Sequence, residues 1–240
     1  MKTTIKNIVL LLYSLLLLPI YLFSQGQPFF SENWNKHGGE TAMFYRNATT
    51  TDNQRNIYVA GATINGNGNH DILIQKLNPR GDLIWEATYN GYANMDDASA
   101  DIFVDNQLNV YVTGTTIKNT TTAQDLIVLK YDKPGTLKWE YIYDNTGNSY
   151  GIDVGTAITG DNDGSLYVTG SSFGTNTQAD YVTLRLNSDN GTKIWERRYD
   201  YLGLNEIPAK IVVKGDDLYV SGASQVSPNR CRKKSSHSIL

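Results

Sequence analysis

The chain has 240 residues, 19% of them charged, a formal net charge of −3 and one cysteine, Cys231. A single cysteine excludes an intrachain disulfide framework. Residues 26–229 carry 15 Lys and Arg against 24 Asp and Glu, a surface unsuited to nucleic acid or anionic lipid.

Residues 1–25 read as a signal peptide. Lys2 and Lys6 supply a basic start, Ile8 to Phe23 is an apolar run broken by Pro19, and Ser24-Gln25-Gly26 offers small or polar residues for cleavage. The run is short for a spanning helix, which needs about 20 apolar residues. No stable membrane span is expected after cleavage, and no cysteine follows the run to take a lipid. The mature chain is expected to be secreted or at the outer cell surface, with the periplasm as the alternative.

From residue 28 to residue 223 the chain repeats itself. One phrase returns four times: Tyr58-Val59-Ala60-Gly61, Tyr111-Val112-Thr113-Gly114, Tyr167-Val168-Thr169-Gly170 and Tyr219-Val220-Ser221-Gly222, at steps of 53, 56 and 52 residues. A period near fifty marks a propeller or solenoid array. A partial blade covers 28–63, entering at Trp34, and further copies lie near 71–116, 125–172 and 180–223. Each of these opens on an aspartate (Asp71, Asp125, Asp180) followed by an apolar run. A Trp-Glu pair comes next (Trp85-Glu86, Trp139-Glu140, Trp195-Glu196). A variable loop, a third apolar segment and a polar turn then lead into the next Tyr-Val-x-Gly. Four short β-type runs per copy are what one blade requires. The fold class is therefore all-β: a β-propeller of four-stranded antiparallel blades, about three and three-quarter blades being present. The structural repeat rests on Tyr58, Gly61, Trp85, Tyr111, Gly114, Trp139, Tyr167, Gly170, Trp195, Tyr219 and Gly222.

Midpoint counting across the glycine-bearing turns predicts facing pairs, Lys76 with Glu86, Lys130 with Glu140 and Arg185 with Glu196, and apolar pairs such as Leu77 with Trp85. Such ion pairs read as register control on a wet face rather than as a row of binding groups. Asp71, Asp125 and Asp180 lie an odd number of residues from these cations and so point to the other side of the strand. They are expected to be buried and bonded to backbone N–H groups of the adjacent turn. The alternative is a ligand-binding or metal ring near the propeller axis, which makes these three the candidate binding residues.

After Gly222 the pattern stops. The next aspartate is due near 232, where Arg232 and Lys233 stand. Residues 230–240 read as a non-repeat basic tail, and the chain as part of a longer array with a truncated or frame-shifted end. An incomplete ring leaves unpaired strand edges, which predicts self-association. A monodisperse monomer with a sharp, reversible thermal transition would contradict it.

The string Asp125-Leu126-Ile127-Val128-Leu129-Lys130, then Gly135, Trp139 and Tyr167-Val168-Thr169-Gly170, resembles the bacterial β-propeller repeat known as the SBBP repeat. The resemblance covers roughly residues 28–223. It implies an exported or surface protein of bacteria, of a family mostly without assigned activity. Asn190-Gly191-Thr192-Lys193-Ile194-Trp195 is similar to quinoprotein-type propeller repeats, but the residues that hold a quinone in those families have no match here, so no cofactor is implied.

Chemistry leaves little trace in the sequence. His37, His70 and His237 are the only histidines, and none has metal-ligand spacing with another His or Cys. No catalytic residue, metal site or cofactor is assigned. Asp161-Asn162-Asp163-Gly164-Ser165 superficially resembles a calcium loop but occupies the place of a tight turn. Asp96, Asp97 and Asp101 cluster in another loop and read as solvated, with a metal site as the alternative. The leading function is a non-enzymatic exported propeller with a binding or structural role, meeting a protein or glycan through the variable loops 64–70, 118–124 and 173–179. The alternative is an extracellular carbohydrate-active hydrolase or lyase with a carboxylate-lined axial site.

Overall fold

Val, Ile, Leu, Tyr and Thr dominate the repeated runs, and these residues suit a pleated surface packed on both sides. The computed structural model describes residues 45–118, 124–145, 151–161, 163–174, 177–227 and 230–238. The predicted signal peptide and Trp34 lie outside the described residues. Every regular element among the described residues is a strand.

Strands β1 (Tyr45–Thr51), β2 (Ile57–Ile64), β3 (His70–Leu77) and β4 (Leu83–Tyr89) form the first antiparallel sheet. The second holds β5 (Ala98–Val104), β6 (Val110–Thr116), β7 (Asp125–Tyr131) and β8 (Leu137–Tyr143), and the third β9 (Asp153–Gly160), β10 (Ser165–Phe173), β11 (Ala179–Asn187) and β12 (Lys193–Tyr199). The fourth has β13 (Glu206–Lys214), β14 (Asp217–Ser227) and β15 (Arg230–Ser238). Each sheet is a meander. The first strands touch in series, β1 with β5, β5 with β9 and β9 with β13, so they form the inner edge of an open array of blades.

Burial follows from this stacking. All seven residues of β7 are buried. Its Ile127, Leu129 and Tyr131 join Tyr58, Ile72 and Ile74 of the first sheet, while Leu126 and Val128 join Val168, Val182 and Leu184 of the third. A third cluster sets Tyr167 and Tyr181 against Ile211, Leu218 and Val220 of the fourth sheet. The tryptophans tie neighbouring sheets. Trp85 Nε1 donates to the Lys133 carbonyl at 3.1 Å and Trp139 Nε1 to that of Ser188 at 3.2 Å. The turn glycine of the next sheet lies against each indole: a Cβ on Gly135 would sit 2.7 Å from the Trp85 ring, and one on Gly191 2.8 Å from the Trp139 ring.

The structure corrects three expectations. Lys76, Lys130 and Arg185 do not face glutamates. They pair with Trp85, Trp139 and Trp195, and the glutamates oppose Gln75, Leu129 and Leu184. One extra residue, Ile84, Lys138 or Ile194, bulges from the outer strand just after the turn, and midpoint counting fails by that residue. Each cation instead lies over the ring of the repeated tyrosine, Lys76 over Tyr58 at 4.9 Å, Lys130 over Tyr111 at 5.5 Å and Arg185 over Tyr167 at 5.7 Å.

The sheets are also out of phase with the sequence copies. A sheet starts at the third apolar segment and ends at the tryptophan strand, so copies 71–116, 125–172 and 180–223 each straddle two sheets. The physical unit ends where the chain crosses from outer to inner edge, and the aspartate marks its third strand. Finally, residues Arg230–Ser238, within the segment read as a non-repeat basic tail, form a strand, β15, paired antiparallel with β14. Backbone pairing tolerates almost any sequence, and β14 offers an open edge. The register shifts twice along this pair, between Val220 and Gly222 and between Gln225 and Ser227, unlike any aspartate strand.

Candidate functional site

Two ends of the blades must be compared. At one end the turns 52–56, 105–109 and 161–165 each begin with an aspartate. Asp161 Oδ1 accepts from the N–H groups of Asp163 and Ser165, both at 2.9 Å, and its Oδ2 from the Tyr167 hydroxyl at 2.9 Å. Asp52 and Asp105 likewise receive the hydroxyls of Tyr58 and Tyr111, each at 3.0 Å. These carboxylates are consumed by their own turns and by the repeated tyrosine, six residues on. The Asp161 segment therefore acts as a tight turn. A cleft of about 610 Å³ opens beside it, lined by Phe103, Tyr111, Ser165 and Ser188 among others.

At the other end lie the β2–β3, β6–β7 and β10–β11 loops and the outer-to-inner crossings. There the three repeat aspartates meet acids that the sequence reading did not pair with them. Asp97, Asp153 and Glu206 open the next inner strand, 26, 28 and 26 residues after Asp71, Asp125 and Asp180. That recurring interval was the available signal. Backbone bonds fix the junction: Asp97 N donates to the His70 carbonyl and Asp153 N to that of Gln124, both at 2.7 Å.

Side chains, not turn N–H groups, meet Asp71 and one oxygen of Asp180, whose Oδ1 has no partner among the described residues. Asp71 Oδ1 accepts from Asn65 Nδ2 at 2.7 Å. Asp180 Oδ2 accepts from Thr177 Oγ1 at 2.8 Å and from Arg198 Nη2 at 2.9 Å. Asp125 differs. It is 0% exposed, and among the described residues neither carboxylate oxygen has a partner at full hydrogen-bond distance and angle. Burial pushes it up to about 6, the charges of Asp144 and Asp153 add to this, and the nearby Lys118 N–H offsets only part. Asp153 is also 0% exposed and raised by burial, an effect that Asn145 N–H and the Ser172 hydroxyl offset in part; its Oδ2 accepts from Asn145 N at 2.8 Å, and its Oδ1 has no partner at full hydrogen-bond geometry among the described residues. One oxygen from each of Asp125, Asp144 and Asp153 lies within 4.8 Å of the others, and the same holds for Asp180, Asp200 and Glu206.

The group Asp96, Asp97 and Asp101 is not a solvated cluster. Only Asp96 is exposed, bonded to His70 Nδ1 at 3.1 Å. Asp97 is 1% exposed, accepts from Gly91 N at 2.7 Å and is raised above the usual carboxylate range by burial. Asp101 is in β5 and accepts from Ile158 N of the neighbouring inner strand at 3.0 Å.

This geometry defines the class: a β-propeller with carboxylates gathered at one end. Compared with protein-family profiles and with curated proteins, the sequence matches none. Among solved structures it is similar to a catalytically inactive virginiamycin B lyase from Staphylococcus aureus with quinupristin. The identity is 13% and the TM-score 0.52, over 84% of this chain and 59% of that one. The chain thus spans about three fifths of that lyase's length. An alpha-L-arabinofuranosidase from Lactobacillus brevis shares 13% identity at TM-score 0.47, covering 86% of this chain and 75% of that one. A quinohemoprotein alcohol dehydrogenase from Comamonas testosteroni shares 12% at TM-score 0.46, covering 83% and 45%. The likeness to the lyase shows the propeller fold; the two lower scores support no further statement. No helix among the described residues is long and apolar enough to cross a membrane.

Proposed function

We propose that the chain is an exported β-propeller that binds a glycan or protein partner through the loops at its carboxylate-bearing end, and does not catalyse a reaction there. The observation that carries this is the contrast between constant strands and changing loops. Segments 65–69, 117–124 and 174–178 join strand ends that share one end of the blades, are polar in sequence, and differ in sequence and length while the strands repeat. Loops on a rigid scaffold are where recognition is built. Export rests on residues 1–25 and on the resemblance to SBBP repeats.

A second reading, an extracellular carbohydrate-active enzyme, is favoured by one observation. The Asp125 carboxyl is held near 6, beside Asp153, as a general acid needs. Yet both side chains are 0% exposed, and a glycosidic oxygen has to reach such a pair directly. A glycan array and a pull-down with the full chain, run beside a polysaccharide-cleavage assay, separate the two. Retention of a ligand is expected, weakened about tenfold or more when 65–69 is replaced by a Gly-Ser turn, with no cleavage. Cleavage that disappears in folded Asp125→Asn overturns the binding reading.

A further inference from the structure

We propose that Asp125, Asp144 and Asp153 form a divalent-cation site of the hard, calcium-binding type at the junction of the second and third sheets. The three acids come from different places in the chain: the start of β7, the residue after β8 and the start of β9. Their oxygens converge within 4.8 Å.

Convergence alone is common. The independent observation is the state of the buried oxygens. Among the described residues, both oxygens of Asp125 and one of Asp153 are sealed from solvent without a partner at full hydrogen-bond geometry, the Lys118 N–H and the Ser172 hydroxyl only approaching them. Buried carboxylate oxygens need a donor or a cation, and leaving them bare is costly. The neighbouring junctions supply donors that the second lacks, although Asp180 keeps one unpartnered oxygen among the described residues. At the third, Arg198 brings a guanidinium to Asp180 at 2.9 Å. The equivalent residue of β8 is Ile142, which has no charge to offer. At the first, Asn90 stands where the second has Asp144, and Asn65 serves Asp71. The second junction therefore combines three acids with no buried cation among the described residues. Lys118 is nearest, but its Nζ lies 3.8 Å from the outer acid, Asp144, and its side chain is half exposed.

The donor set selects the ion. It offers carboxylate oxygens and no nitrogen or sulfur, which suits a hard cation. Calcium–oxygen distances of about 2.3–2.6 Å let ligand oxygens stand up to about 5 Å apart across the ion, as here. Magnesium, with distances of about 2.0–2.1 Å and strict octahedral demand, needs the cluster to contract. Asp144, 22% exposed, faces the side from which an ion enters. Bound there, the ion staples the ends of β7, β8 and β9 and so joins two sheets. This site is independent of what the loops bind.

The test uses the full chain, stripped with EDTA and then titrated with CaCl2 at constant ionic strength, followed by calorimetry and thermal unfolding. For a site of Kd near 10⁻⁴ M, about 10 mM calcium is expected to raise Tm by about 5–10 °C, with a smaller rise in MgCl2. Asp125→Asn abolishes the shift. Asp144→Asn changes a part-exposed side chain that the fold does not need; it is expected to weaken binding about tenfold or more and to shrink the shift. Asp200→Asn at the third junction leaves the shift intact. The proposal is overturned if the wild-type chain gives neither heat nor a Tm shift. It also falls if the shift survives both Asp125→Asn and Asp144→Asn, or disappears in Asp200→Asn.

Discussion

Gly114→Ala is expected to destabilise the chain by about 3 kcal/mol, at the upper end for overpacking. Gly114 is the glycine of the second Tyr-Val-x-Gly, and its φ is not in the left-handed region, so conformational freedom is not what the position needs. The constraint is steric. Opposite it the inner strand β5 bulges at Ala100, bringing backbone against the Gly114 Cα. A Cβ there would collide with the Ala98 carbonyl oxygen and lie 2.8 Å from Ser99 Cα and 2.9 Å from the Ala98 carbonyl carbon. All three atoms are backbone and cannot step aside as a side-chain tip can. Gly170 and Gly222 face the same arrangement, against the carbonyl oxygens of Val154 and Ile207, and β9 and β13 carry the matching bulge. The control is Gly66→Ala, where nothing lies within 4 Å, expected to stay within about 1 kcal/mol of wild type. Urea unfolding of the three proteins decides it. A Gly114→Ala variant within about 0.5 kcal/mol of wild type removes the steric account.

That glycine illustrates what the sequence discloses and what it hides. Its recurrence at a fifty-residue step was enough to place every copy in one kind of sheet, because tandem units must bury equivalent surfaces. The bulge that makes it necessary leaves no residue signature. Ala100, Thr156 and Ala209 have nothing in common that marks an extra residue. The same holds for Ile84, Lys138 and Ile194, whose bulges turned the expected Lys–Glu and Arg–Glu pairs into Lys–Trp and Arg–Trp pairs. Period reveals copies, while register depends on single-residue insertions that periodicity averages away. The candidate site was half visible for a related reason. Asp71, Asp125 and Asp180 sit 13 or 14 residues after the repeated tyrosine, at the start of a repeated apolar run. Their partners Asp97, Asp153 and Glu206 follow crossings of unequal length, one with glutamate for aspartate. The strand β15 was invisible because an edge recruits backbone, and Arg230–Ser238 carries none of the repeat's side chains.

The unbalanced junction should also register in the pH dependence of stability. In chelator, the folded Asp125 carboxyl titrates near 6, whereas its unfolded value is near 3.8. The folded state holds that proton more tightly, so acidification favours folding. The contribution is fully present below about pH 4 and is lost as pH rises through 6. A gap of about two units corresponds to about 3 kcal/mol. Asp153 and Asp97, raised mainly by burial, act in the same direction. Asp161 and Glu196 act in the opposite one. Burial pushes each up, but hydrogen bonds hold both below their ordinary values, Ser165 N–H and the Tyr167 hydroxyl for Asp161, Lys193 and the Tyr143 hydroxyl for Glu196. Their stabilisation is present above about pH 4.5 and fades as pH falls further. Stability in EDTA is therefore expected to rise from pH 7.5 to about pH 5 and to fall below about pH 4. Asp125→Asn should remove most of the upper slope by stabilising the neutral-pH protein by about 2–3 kcal/mol, since an amide carries no charge to bury. Urea midpoints across this range measure both arms. A flat wild-type profile between pH 5 and 7.5, or an Asp125→Asn chain less stable than wild type at pH 7.5, shows that Asp125 is already satisfied in the metal-free protein.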